Sequence, residues 1–162
     1  MRAKLCIHTE GHSMSTPDPC AVLLLDNQLC FALHSTSLQM TKVYKPLLKS
    51  LGLTYPQYLA MLVLWESDGI SVGDLSQRLL TDPGSVTPVL KRLEAEGLIN
   101  RVRSKNDERV VELFLTERGQ ALREQAKALP GCILKASDQP LERLMSLRDE
   151  LLALRASLIR QS

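Results

Sequence analysis

Two runs decide the fold: Leu98-Ile99-Asn100-Arg101-Val102-Arg103 and Val110-Val111-Glu112-Leu113-Phe114-Leu115. The first alternates apolar and polar residues and the second is β-prone. Between them lies the polar turn Ser104-Lys105-Asn106-Asp107-Glu108-Arg109. This pattern predicts a β-hairpin. Upstream, a helix is expected to about Glu96, with Val86, Val89, Leu90 and Leu93 inward and Gly97 as its stop. Before it, Ser71-Val72-Gly73-Asp74 opens a short helix with Val72, Leu75 and Leu79 on one side, and Thr81-Asp82-Pro83-Gly84 reads as a tight turn. Two short helices joined by a turn are consistent with a helix-turn-helix, although many bundles contain such pairs. A hairpin directly after the second helix makes the reading specific, because it has the place of a wing.

Charge points the same way. The net charge of +2 is too mild to establish a nucleic-acid partner by itself. Yet residues 99–105 carry Arg101, Arg103 and Lys105 with no acid among them. A solvated face explains one or two of these; three on one short strand predict phosphate contacts and a double-stranded DNA partner.

Working outward, Thr54-Tyr55-Pro56-Gln57 has the form of a capping box with proline in the first turn, and Leu59 to Trp65 is apolar all round, as a buried central helix should be. Asp68-Gly69 closes it. Towards the N-terminus, apolar positions 22, 25, 29, 33, 40, 43 and 47 recur at helical spacing up to Gly52, with Pro46 as a candidate bend. Towards the C-terminus, Thr116 caps a helix to Leu129, interrupted by Pro130-Gly131. A last helix from about Pro140 carries Leu144, Leu147, Leu151, Leu154 and Leu158, flanked by Leu141, Met145, Leu152 and Ile159. That stripe is too wide for a lone surface helix and predicts packing against the N-terminal helix, within one subunit or across a dimer.

The expected fold is therefore mainly α with a small β-hairpin wing: a winged helix-turn-helix domain plus N- and C-terminal helical dimerisation regions. Residues 1–20, with Gly11, Pro17 and Pro19 and no periodicity, read as a flexible tail in which Met14 is an alternative start. Residues 21–162 read as a single domain, its DNA-binding part about 54–115 and its dimerisation arms about 21–50 and 116–160.

Four cysteines, Cys6, Cys20, Cys30 and Cys132, lack CxxC spacing, which argues against zinc and against a structural disulfide framework. No metal or cofactor is expected. No apolar run approaches the ~20 residues of a membrane span, and the N-terminus lacks a signal-peptide core, so a cytoplasmic protein away from membranes is expected. Asp26 and Asn27 are suited to opening the first long helix, and Cys30 one turn later sits where the helix dipole favours thiolate over thiol. A buried core cysteine is the plain alternative.

At this point the residues carry a resemblance. Asp107-Glu108-Arg109, Leu115-Thr116 and Gly119 resemble the D-x-R…LT-x-x-G signature of MarR-type regulators. Leu29-Cys30-Phe31, Tyr44-Lys45-Pro46-Leu47-Leu48, Thr54-Tyr55-Pro56-Gln57-Tyr58-Leu59 and Leu64-Trp65-Glu66 resemble the organic-hydroperoxide-sensing repressors of that family, over roughly residues 24 to 160.

The resemblance implies a non-enzymatic repressor, a homodimer on a palindromic operator, released when an organic hydroperoxide oxidises the sensor cysteine. Cys30 matches that sensor, and Tyr44 and Tyr55 match two tyrosines that hydrogen-bond the sensor sulfur from the partner subunit. Along a continuous helix Tyr44 lies about 21 Å from Cys30, so it cannot touch its own Cys30 unless the chain folds back. Cys132 matches the resolving cysteine of the two-cysteine branch, with looser spacing; Cys20, Cys6 or a small thiol are the other candidates. His34, one turn after Cys30, stands where relatives carry tyrosine. For DNA, Ser85, Thr87 and Lys91 are expected to reach bases and Arg92 phosphate. Arg109 at the wing tip matches the arginine that enters the minor groove, while Asp107 orients the wing. Two other readings are a MarR-type regulator of a non-covalent phenolic ligand and a thiol peroxidase.

Overall fold

A computed structural model describes residues 21–161, so the expectations for the tail, Met14, Cys6 and Cys20 lie outside the described residues. The chain divides into two units, residues 1–40 and 41–162.

In the first unit, two short 3-10 turns, Ala21–Leu23 and Leu25–Asn27, precede helix α1 (Leu29–Lys49), whose opening turns belong to this unit. The helix therefore does not open at Asp26-Asn27 as the sequence suggests. The reason is local. Asn27 donates its side-chain amide to the Ala21 carbonyl (2.7 Å), and Gln28 donates to those of Val22 (2.5 Å) and Leu24 (3.1 Å). These side chains satisfy the carbonyls of the 3-10 turns. Extended backbone at Gln28 then resets the chain, and the first helical bond runs from Ala32 N–H to Gln28 O at 3.1 Å.

The second unit holds the core. Helix α1 continues through Pro46 and ends in a left-handed Gly52 (φ +71°), with Leu53 N–H bonded back to Leu48 O at 3.0 Å. Helix α2 (Tyr55–Glu66) is buried over most of its surface between Gln57 and Trp65, as its unbroken apolar run requires. Its capping box is present: Thr54 N–H and Thr54 Oγ1 each donate to Gln57 Oε1 at 2.8 Å. Strand β1 (Ile70–Ser71) follows, then α3 (Val72–Arg78), α4 (Pro83–Ala95), β2 (Ile99–Arg103), β3 (Val111–Leu115), α5 (Glu117–Ala126), α6 (Leu129–Ser137) and α7 (Leu141–Ile159).

The hairpin is antiparallel, pairing Ile99 with Leu115 and Arg103 with Val111. Strand β1 pairs Ile70 with Leu113, giving the sheet order β1-β3-β2. A central core of Leu64, Leu75, Leu90, Leu93, Ile99 and Leu113 joins α2, α3, α4 and the sheet. The indole of Trp65 donates to Gly119 O at 2.9 Å and ties α2 to α5. Mainly helical architecture with a hairpin wing is thus the observed fold.

Three elements depart from expectation. Thr81-Asp82-Pro83-Gly84 is not a separate turn: Asp82 caps α4, and Pro83 and Gly84 already belong to its first turn. Strand β1 doubles as the entry to α3, where Ser71 Oγ accepts from Asp74 N–H at 3.0 Å. Pro130 does not simply interrupt a helix but opens α6, where a missing N–H costs nothing.

Candidate functional site

Cys30 is the second residue of α1 and is exposed, so it is not a core cysteine of this chain. Because α1 opens at Leu29, the thiol sits inside the first turn, among backbone N–H groups with no intrahelical partner. Cys132 is also exposed and lies in the first turn of α6, its N–H bonded to Ala128 O at 3.3 Å.

All three tyrosines of the chain meet in the second unit. The Tyr44 ring on α1 lies 5.1 Å from that of Tyr55 and 5.7 Å from that of Tyr58, both on α2. Tyr58 in turn contacts Trp65 edge-on at 6.4 Å. Burial, then the neighbouring Tyr58 and Tyr55 phenols, push Tyr44 up to about 12. Tyr58 is raised too, by burial and then by Tyr55. Near neutral pH these phenols keep their protons and remain hydrogen-bond donors. The sequence reading named Tyr44 and Tyr55 and missed Tyr58, whose place three residues after Tyr55 puts it on the same helix face. A groove of about 770 Å³ lies beside Tyr55, lined by Pro46, Leu53 and Pro56 together with Lys45 and Lys49.

The residues expected at DNA divide into two groups. On α4, Lys91 and Arg92 are exposed. Ser85 is engaged in the cap: its N–H donates to Asp82 Oδ1 (2.9 Å) and its hydroxyl to Oδ2 (2.5 Å), which hold the Asp82 carboxyl below its ordinary range. Thr87 donates its hydroxyl to Pro83 O at 2.8 Å. Both hydroxyls keep lone pairs free to accept. On the wing, Arg103, Lys105, Asp107 and Arg109 are exposed, and Asp107 shapes the tip by accepting from Arg109 N–H at 3.0 Å.

Arg101 differs from its neighbours. It shares a strand face with buried Ile99, pairs with Glu94 of α4 at 3.7 Å, and donates its backbone N–H to Glu94 Oε1 at 3.2 Å. The sequence shows three equivalent cations of one parity; Arg101, two residues from Ile99, lies against Glu94 of α4, while Arg103 and Lys105 further along are exposed.

Comparison with known proteins follows the same lines. A family model described as transcriptional regulator SarA/Rot matches residues 42–125. The chain is 51% identical to the organic hydroperoxide resistance transcriptional regulator of Bacillus subtilis (strain 168), over 80% of this chain and 88% of that one. The chain belongs to the SarA/Rot and MarR-type transcriptional regulators. Among solved structures, this regulator is similar to reduced AbfR bound to DNA, with a TM-score of 0.67 and 34% identity over 83% of this chain and 94% of that one. It is also similar to disulfide-formed AbfR, with a TM-score of 0.59 and 33% identity over 84% and 92%. AbfR is a protein of Staphylococcus epidermidis. The Bacillus subtilis relative is a transcriptional regulator, not an enzyme, and so is this MarR-type chain. Among its described residues no helix is long and apolar enough to cross a membrane.

Proposed function

We propose that this regulator is a homodimeric repressor that releases a palindromic operator when an organic hydroperoxide oxidises Cys30. The observation that carries the reading is an exposed Cys30 in the first turn of α1, in a chain 51% identical to an organic hydroperoxide resistance regulator. The thiolate attacks the terminal oxygen of the hydroperoxide. The O–O bond breaks, the alkoxide leaves and takes a proton from water to become the alcohol, and Cys30 becomes a sulfenic acid, the reversible first rung of thiol oxidation. Tyr44 and Tyr55 donate hydrogen bonds to the sulfur of Cys30 of the partner subunit. The apolar groove beside Tyr55 suits an alkyl or lipid hydroperoxide better than hydrogen peroxide.

In a second step the thiol of Cys132 of the partner subunit displaces hydroxide from the sulfenic sulfur, giving a disulfide and water. Bridged α-carbons must lie within ~7 Å, so a reduced pair further apart than this requires the helices that carry the two cysteines to move. The winged parts then rotate, and recognition helices set for half-sites about 34–36 Å apart no longer dock together. On DNA, α4 enters the major groove through Ser85, Thr87 and Lys91, Arg92 meets phosphate, Arg103 and Lys105 line the wing, and Arg109 enters the minor groove. The seven exposed large apolar residues of α7, Leu158 among them, supply the dimer arm together with the N-terminal segment.

The test is a gel shift on the promoter region of the regulator's own gene. Reduced protein should retard the fragment, and one equivalent of cumene hydroperoxide should release it. Retardation that is unchanged after stoichiometric oxidation of Cys30 contradicts the proposal.

A further inference from the structure

Gln57 is almost fully buried, at 2% exposure, yet its side chain is polar. Its two ends serve two helices. Oε1 accepts from Thr54 N–H and Thr54 Oγ1, closing the start of α2, while Nε2 donates to both carboxylate oxygens of Glu96 at 3.2 Å. Glu96 is the C-cap of α4, its N–H bonded to Arg92 O at 2.9 Å. The Glu96 carbonyl also accepts from Arg118 of α5 at 2.8 Å. One side chain therefore joins the residue that starts α2, next to Tyr55, to the end of the helix expected in the major groove.

Apolar contacts between α2 and α4 are non-directional, so a sliding helix can exchange one set for another. The Gln57 amide allows no such exchange. Separated from Glu96, it becomes a buried donor without a partner and loses far more than an exposed hydrogen bond would. The start of α2 and the end of α4 therefore move together.

We propose that Gln57 and Glu96 are positioning residues that carry displacement at Tyr55 into α4, so that events at the tyrosine cluster change the pose of Arg92 and Lys91. This rests on the redox reading above, with Tyr55 as a contact of the sensor sulfur. Removing the link should uncouple DNA release from oxidation while leaving DNA binding in place.

The experiment compares operator affinity of full-length protein before and after one equivalent of cumene hydroperoxide, by fluorescence anisotropy. The unsubstituted protein, Glu96→Ala and Glu96→Gln are measured side by side, with mass spectrometry checking Cys30 oxidation. For Glu96→Ala the oxidised-to-reduced ratio of Kd should shrink about tenfold, while the reduced Kd stays within about threefold of the unsubstituted protein. Glu96→Gln keeps an acceptor for Nε2 and should restore the ratio. Should Glu96→Ala not fold, Glu96→Asp, which withdraws the carboxylate by one methylene, carries the same comparison. A weakening equal in both redox states, leaving the ratio unchanged, would make the contact merely structural and overturn the proposal. A ratio of one in the unsubstituted, oxidised protein would instead remove the redox reading on which it rests.

Discussion

Arg101 faces Glu94: its guanidinium lies 3.7 Å from the carboxylate and its backbone N–H reaches Glu94 Oε1 at 3.2 Å, so wing strand and α4 are tied by one residue twice. Arg101 thereby ties together the two elements proposed to meet DNA, whereas Arg103 and Lys105 carry no ion pair among the described residues. The two roles separate by salt. Arg103→Ala should lower the slope of log K against log salt by about one phosphate's worth, ~0.9. Arg101→Met should weaken binding with the slope unchanged. Anisotropy titrations across a salt series decide it, and a slope lost equally in Arg101→Met would return Arg101 to the phosphate.

Gly119 admits no side chain. A Cβ there would lie 2.0 Å from Leu98 O, the carbonyl that also accepts from Thr116 N–H at 3.1 Å. Gly119→Ala must push α5 away from the α4–β2 corner and lose the Trp65 bond, at a cost of about 1–3 kcal/mol. Gly131, in α6 with nothing within 4 Å of its Cβ position, is the control. Gly131→Ala should be neutral or stabilising by about 0.5–1 kcal/mol. Urea midpoints measured on both variants check the contrast.

Much of this framework is legible from the residues alone. The alternation of Leu98 to Arg103, the all-round apolar run of α2 and the capping boxes at Thr54 and Ser71 are local patterns with local causes. Strand β1 is not legible, because two residues carry no periodicity and Ser71 is also a helix cap. Helix α6 is hidden by Pro130-Gly131, which reads as a breaker although proline in a first turn breaks nothing. At the candidate site, Cys30, Tyr44 and Tyr55 stand out by resemblance. Tyr58 and the Gln57–Glu96 contact, whose partners lie 39 residues apart, exist only once the helices pack. Arg101 shares its parity with exposed Arg103, so its inward place comes from Glu94 on α4, a partner that the charge pattern does not show.

The tyrosine cluster gives a pH dependence at the alkaline end. An unfolded tyrosine ionises near 10, whereas Tyr44 holds its proton to about 12. Between these values the unfolded chain has lost a proton that the folded chain retains, so stability should fall as pH rises through that window. Tyr44→Phe should flatten the fall, as read from thermal midpoints across alkaline buffers. The acid end differs in sign. Asp82, lowered by its bonds to Ser85, stabilises the start of α4 above the ordinary carboxylate range and stops doing so as pH drops through its folded value. Asp82→Asn, which keeps a cap without the charge, should remove that acid-side dependence.

Helix α7 has no buried residue in the single chain, with Leu158 60% and Ile159 56% exposed. Placing acids on this stripe, Leu151→Glu together with Leu158→Glu, should convert the dimer to monomer in sedimentation velocity. Operator affinity should fall by orders of magnitude, because two half-sites are no longer engaged at once. A double variant that stays dimeric would locate the dimer contact elsewhere.

The central claim is that Cys30 is the residue through which hydroperoxide reaches DNA binding, and Cys30→Ser tests it most directly. Operator affinity of Cys30→Ser and unsubstituted protein is measured with and without one equivalent of cumene hydroperoxide. The expected result is that Cys30→Ser binds like the reduced protein and stays bound after treatment, while the unsubstituted protein lets go. Release of Cys30→Ser by hydroperoxide, to the same extent as the unsubstituted protein, would contradict the account.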